Sequence, residues 1–149
     1  MFTAEQLKSK TGDLGERLVA RYYRSLGKSV EESLDLLDRK KDMTVDRLSC
    51  EVKTQQPWHK ESAFTVKPNQ IEKCHDVDLL IFVETPSKYN GNSVKIYEIP
   101  KDKRQTKVMK TKDNRLMHLY KKCNANLLTT ITDDVIVEQF NRYMTSTWR

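Results

Sequence analysis

The chain reads as a mixed α/β domain, and three observations predict that class. Residues 42–53 (DMTVDRLSCEVK) carry the period-two alternation of a β-hairpin. Residues 78–83 (DLLIFV) form a continuous apolar run of strand length, as expected of a strand buried on both faces. Amphipathic stretches of helical period stand near both ends, over residues 11–26 and again after Thr132.

Within residues 11–26, Leu14, Leu18, Tyr22 and Ser25 recur at helical spacing, and Val19, Tyr23 and Leu26 widen the stripe. Thr11 or Asp13 stands near the start and Gly27 at the stop, while residues 2–10 form an extra turn or an arm. Residues 28–33 (KSVEES) make a first strand, and residues 34–41 a charged connection. After the hairpin comes a polar loop, residues 54–62, and then a helix over 68–75 with Pro68 in its first turn. Residues 93–99 (SVKIYEI) alternate as another strand, after the turn signal Asn90-Gly91. Residues 116–120 and 127–131 are short and ambiguous. A final helix has Thr132 as its cap, Asp133 and Asp134 in its first turn, and Ile136, Phe140, Tyr143 and Met144 as its stripe.

The hairpin repays closer reading. With Asp46 and Arg47 at the turn, Val45 pairs with Leu48, Thr44 with Ser49, Met43 with Cys50 and Asp42 with Glu51. One face is then apolar (Met43, Val45, Leu48, Cys50, Val52) and the other polar (Asp42, Thr44, Ser49, Glu51, Lys53). This register sets two carboxylates opposite each other, about 5 Å apart at Cβ. Bare like charges at that distance repel. A divalent cation between them reverses the sign, since Mg²⁺ takes one or two carboxylates and keeps waters for substrate oxygens. Lys53 projects from the same face, within reach of such a water. The plainer reading is a solvated strand face that happens to carry acids.

Asp, a turn, then Glu-x-Lys resembles the PD-(D/E)XK nuclease superfamily, here as Lys41-Asp42 followed by Glu51-Val52-Lys53, without the usual proline before the aspartate. Residues 12–23 (GDLGERLVARYY) resemble the opening helix of its Holliday-junction-resolvase and restriction-endonuclease-like branches. That helix often carries a glutamate facing the metal, which makes Glu16 the candidate. Its bland alternative is an exposed helix acid. The resemblance implies a restriction-endonuclease-like αβββαβ core, a central mixed sheet flanked by helices. An extra strand and a C-terminal helix complete a single domain over residues 1–149.

The resemblance further implies a metal-dependent nuclease hydrolysing phosphodiester bonds, structure-selective or nicking, with DNA favoured over RNA. Its cofactor would be Mg²⁺, with Mn²⁺ as a substitute. Asp42, Glu51, Glu16 and the carbonyl of Val52 would hold the metal. Lys53 and Gln70, which stands where relatives present a Gln or Lys, would complete the catalytic set. For Gln70 a surface glutamine is the bland alternative.

Composition agrees with a polyanion as partner. The chain of 149 residues has a net charge of +6 and a pI near 9.2. Its densest basic stretch, residues 101–112, reads as a loop whose Lys101, Lys103, Arg104, Lys107, Lys110 and Lys112 meet phosphates or merely keep the protein soluble. Arg39, Lys40 and Lys41 precede the aspartate and join the same expectation, and Trp58 could stack on a base. Asp35, Asp38 and His59 are weaker candidates for metal ligation and proton transfer. A chain this short leaves little room for a recognition domain, so cutting a specific duplex would call for a homodimer.

Three scattered cysteines argue against a disulfide framework, and their spacing with His75 and His118 matches no zinc finger or knuckle. No apolar run approaches the ~20 residues that span a bilayer, and the N-terminal stretch lacks a signal-peptide core. The expectation is an intracellular protein, cytoplasmic or nucleoid-associated. Two other functions stay open: a basic accessory protein that binds nucleic acid without cutting it, and an interaction domain whose acids are only surface groups.

Overall fold

A computed structural model describes residues 2–33, 42–57 and 62–145. Helix α1 (Ala4–Ser25) leads into strands β1 (Val30–Glu32), β2 (Met43–Val45), β3 (Leu48–Gln55) and β4 (Ala63–Val66). A 3₁₀ turn (Pro68–Gln70) then runs into helix α2 (Ile71–Asp76). Strands β5 (Leu79–Glu84), β6 (Val94–Ile99), β7 (Thr106–Lys110), β8 (Leu116–Lys121) and β9 (Asn126–Ile131) precede helix α3 (Asp134–Thr145). The architecture is mixed α/β, with one sheet ordered β1-β2-β3-β5-β6-β9 and a smaller one ordered β4-β8-β7.

The hairpin forms in the expected register, Met43 opposite Cys50, Thr44 opposite Ser49 and Val45 opposite Leu48. Asp46 and Arg47 both take positive φ, 48° and 69°, the requirement of a two-residue turn that follows the strand twist. Neither is glycine, and local bonds offset the strain. Asp46 Oδ1 accepts from Ser29 N at 2.8 Å, and Asp46 N donates to Ser29 O at 2.8 Å. Met43, Val45, Cys50 and Val52 are buried as expected, but Leu48, beside the turn, is 45% exposed. The polar face departs more. Glu51 is buried rather than solvated, since that side of the sheet carries a second layer.

Strand β3 runs parallel to β5, and the other neighbours in the large sheet are antiparallel. The apolar run of β5 divides between two cores. Ile81 and Val83 pack with Leu14, Leu18 and Val19 of α1 and Phe140 of α3, while Leu80 and Phe82 pack with Phe64, Cys74 and Tyr120 on the other side. The first helix begins at Ala4, not Thr11, because Thr3 and Gln6 form a capping box. Thr11 instead lies buried and donates to Leu7 O at 2.9 Å. Gly27 ends the helical segment at φ 80°, as its position required. At α3 the cap is Asp133 rather than Thr132. Its carboxylate accepts from Val135 N at 2.9 Å and Ile136 N at 3.2 Å.

One close approach seats α1 against β3. A Cβ on Gly15 would fall 1.9 Å from Thr54 Oγ1, so only glycine fits there without displacing the threonine. The neighbouring residue is Glu16, and this contact sets its place along the sheet.

The smaller sheet was the less foreseeable part. Strand β4 follows the polar loop and was not anticipated; its backbone at Thr65 is bound by the side chain of Gln55, with Oε1 accepting from Thr65 N at 2.9 Å and Nε2 donating to Thr65 O at 3.0 Å. The basic stretch 101–112 is a 3₁₀ turn (Lys101–Lys103) followed by strand β7, not a loop. Arg104 is buried. Its guanidinium donates to the carbonyls of Ile99 (3.1 Å), His75 (3.0 Å) and Asp78 (3.0 Å), as well as that of Val77. A cation spent on that many carbonyls cannot meet phosphate, so Arg104 leaves the expected binding set.

Candidate active site

Two neighbouring strands and the two flanking helical segments bring the site together. The regular pairing ends at Met43 opposite Cys50, so the expected Asp42–Glu51 pair does not form as a ladder step; Asp42 N–H instead donates to Cys50 O at 2.9 Å. Its carboxylate does not point idly outward: Oδ2 accepts from Val52 N at 2.8 Å, which fixes the side chain beside β3. In an extended strand the N–H and C=O of one residue point to the same side. The Val52 carbonyl therefore faces toward Asp42 and away from β5.

Glu51 lies on the opposite side of β3 from Cys50 and Val52, on the face shared with Leu80 and Phe82. Its side chain is only 2% exposed, and each oxygen has an ammonium close by. Lys53 Nζ stands 3.2 Å from Oε1, and Lys73 Nζ stands 2.9 Å from Oε2. Lys73 is also 4.0 Å from Asp42 Oδ1, so one ammonium lies between the two carboxylates. Lys53 in turn donates to Gln70 Oε1 at 2.8 Å. Gln70 is thus joined to the cluster through Lys53.

Lys73 escaped the reading of the sequence. The signal was present: Gln70 and Lys73 are three residues apart at the start of α2, a spacing that puts both on one helix face.

Electrostatics follow from burial and crowding. Burial, and then the Asp42 carboxylate, push Glu51 above the usual carboxylate range, and Lys53 and Lys73 draw it partly back. Lys73 gives up hydration, which alone would lower its pKa, but the Glu51 and Asp42 carboxylates outweigh this and raise it. Glu16 is pushed up to about 7, first by burial and then by the negative charges of Asp42, Asp13 and Glu51. Asp42 and Glu51 lie close enough to disfavour its ionised form.

The donors are hard oxygens, the type that a divalent ion such as Mg²⁺ prefers. Among the described residues, no group of three or more His, Cys, Asp or Glu side chains stands ready to cage a metal. Mg²⁺ does not need such a cage, because it binds through one or two carboxylates and retains its waters. Buried Glu51 Oε2 is paired with the Lys73 ammonium at 2.9 Å, so a metal ion at that oxygen would have to displace the lysine. Asp42, Glu51 and the Val52 carbonyl are the groups that could hold an ion, once it displaced the Lys73 ammonium from between the acids. Glu16 stands near enough to feel their charge.

The remaining candidates are more dispersed. Lys101 is 3.6 Å from Asp78, and Lys103 is exposed on the same 3₁₀ turn. Lys107 and Lys110 fall on opposite faces of β7, since they stand an odd number of residues apart in one strand. Lys112 is exposed in the turn beyond it. Arg39, Lys40, Lys41, Trp58, His59, Asp35 and Asp38 lie outside the described residues.

No family model matches the sequence, and neither the curated proteins nor the solved structures contain a significant match. No helix among the described residues is long and apolar enough to cross a membrane.

Proposed function

We propose that the protein is a metal-dependent nuclease with a restriction-endonuclease-like fold, acting on phosphodiester bonds and on DNA in preference to RNA. The observation that carries this reading is the meeting of Asp42, Glu51, Lys53 and Gln70, with Lys53 held 3.2 Å from Glu51 and 2.8 Å from Gln70. The order of α1, the β1–β3 meander, α2 and a β5 parallel to β3 supports the same fold.

A bound Mg²⁺ or Mn²⁺ would supply charge neutralisation at the phosphate and a water of lowered pKa. Asp42, Glu51 and the Val52 carbonyl would hold it, and Glu16 would contribute directly or through water. Gln70 fixes the Lys53 ammonium, which orients the attacking water or stabilises the developing negative charge. A panel of branched, duplex and single-stranded DNA, incubated with and without Mg²⁺, tests the reading. Metal-dependent cleavage of at least one substrate supports it, and intact DNA throughout refutes it.

A second reading has one specific observation in its favour. Lys73 already supplies a cation between the two acids, so the cluster could be a self-neutralised remnant in a basic accessory protein that binds nucleic acid without cutting it. In that case the metal-binding capacity is lost while nucleic-acid affinity remains.

A further inference from the structure

A cleft of about 410 Å³ opens beside Lys53, between the 3₁₀ turn and the smaller sheet. Thr65, Val66, Lys67, Asn69 and Met117 form its walls, and Lys53 and Gln70 join it to the candidate active site. Its volume lies in the range of pockets that take small organic molecules, about 300–1,000 Å³.

Its chemistry is one-sided. Among the described residues no carboxylate lines it, while Lys53 and Lys67 make it cationic. Strand register extends the positive charge outward. Thr65 stands opposite Leu119, and Leu119 opposite Lys107; Met117 stands opposite Met109. Cross-strand partners share a face and alternate residues return to it, so Thr65, Met117 and exposed Lys107 lie on one side of the small sheet. The cleft thus combines a polarisable thioether at Met117, an amide at Asn69 and lysines along its approach. A thioether against a ring and an amide at its edge suit a nucleobase, and the lysines suit the phosphates on either side.

We infer that this cleft seats one unstacked nucleotide of a single strand, adjoining a phosphate that faces the Lys53 ammonium. Strands free of their complement are then engaged in preference to continuous duplex. A base inside a duplex reaches such a cleft only after losing its pairing and stacking, a cost that a single strand largely avoids. The inference rests on the nuclease reading for the identity of the neighbouring phosphate.

Binding measured in EDTA tests it apart from catalysis. Fluorescence anisotropy would compare a labelled single-stranded DNA 12-mer with its own duplex, and 2-aminopurine placed along the strand would report unstacking. The expected result is at least tenfold tighter binding of the single strand, with a rise in 2-aminopurine fluorescence at one position. Met117→Glu, at a partly exposed site, should weaken single-strand binding at least tenfold and leave duplex binding and Tm unchanged. Asn69→Ala, at an exposed site, should weaken it about threefold. Equal or tighter duplex binding, no change in 2-aminopurine signal, or undiminished binding by folded Met117→Glu would overturn the inference. Single-strand preference without Mg²⁺-dependent cleavage would keep the cleft and remove the nuclease reading. Cleavage of duplex without single-strand preference would do the reverse.

Discussion

Lys73 Nζ lies 2.9 Å from Glu51 Oε2, on the face of the sheet where a pair of opposed carboxylates needs a cation. The same ammonium is 4.0 Å from Asp42, so the metal-free protein carries its own counterion. Replacing it should separate structural from metal-binding roles. Lys73→Met is expected to destabilise the metal-free protein by about 2 kcal/mol, less than the ~3–5 typical of a broken buried pair, because Lys53 still faces Glu51. Added Mn²⁺ should then stabilise the variant more than the parent, by mass action on a vacated position. Thermal melts with and without Mn²⁺ check both parts. An equal shift in the two proteins would show that Lys73 does not compete with the ion.

Asp42→Asn should remove at least about 100-fold of Mg²⁺-dependent cleavage while sparing the fold. An asparagine carbonyl oxygen can still accept from Val52 N, so the anchor observed at 2.8 Å is retained while the charge is lost. Cleavage rates beside Tm values test this. Full activity in a folded variant would take the aspartate out of the metal site.

Stability of the metal-free protein should fall as pH rises between about 4.5, the ordinary value for Glu16, and about 7, its value in the fold. Above 4.5 the unfolded chain releases this proton while the folded protein keeps it, so folding binds the proton and rising pH opposes folding. The contribution is fully present below 4.5 and lost as pH passes 7. Glu16→Gln should flatten this slope. Denaturant midpoints across the window decide, and an unchanged slope in the variant would place the proton elsewhere.

The basic strand should act by face. Lys107→Ala, on the face shared with Met117, should lower the log–log salt slope of nucleic-acid binding by about one unit. Lys110 stands opposite Leu116 on the other face, and its removal should leave the slope unchanged. Isotherms at three salt concentrations separate the two, and equal effects would show that the faces are not distinguished.

The hairpin was legible in the sequence because alternation and register are local properties, and Met43, Cys50 and Val52 could face only one way. The two-sided burial of β5 was legible for the same reason. What escaped depends on the second layer. Glu51 looked solvated because period two separates faces but cannot tell whether the polar face meets water or α2. Arg104 sat in a run of lysines and read as a phosphate contact, yet the carbonyls that enclose it come from residues 75–78 as well as Ile99, a coincidence of tertiary structure. Strand β4 is four residues long and takes part of its anchoring from the Gln55 side chain, which no strand pattern reveals.

The central claim is that Asp42 and Glu51 hold a divalent ion, and titration calorimetry with Mn²⁺ tests it most directly. The expected result is saturable binding by the parent protein and its loss in Asp42→Asn and Glu51→Gln, both shown by their melts to be folded. Absence of binding by the parent, with or without a DNA oligonucleotide present, would contradict the account.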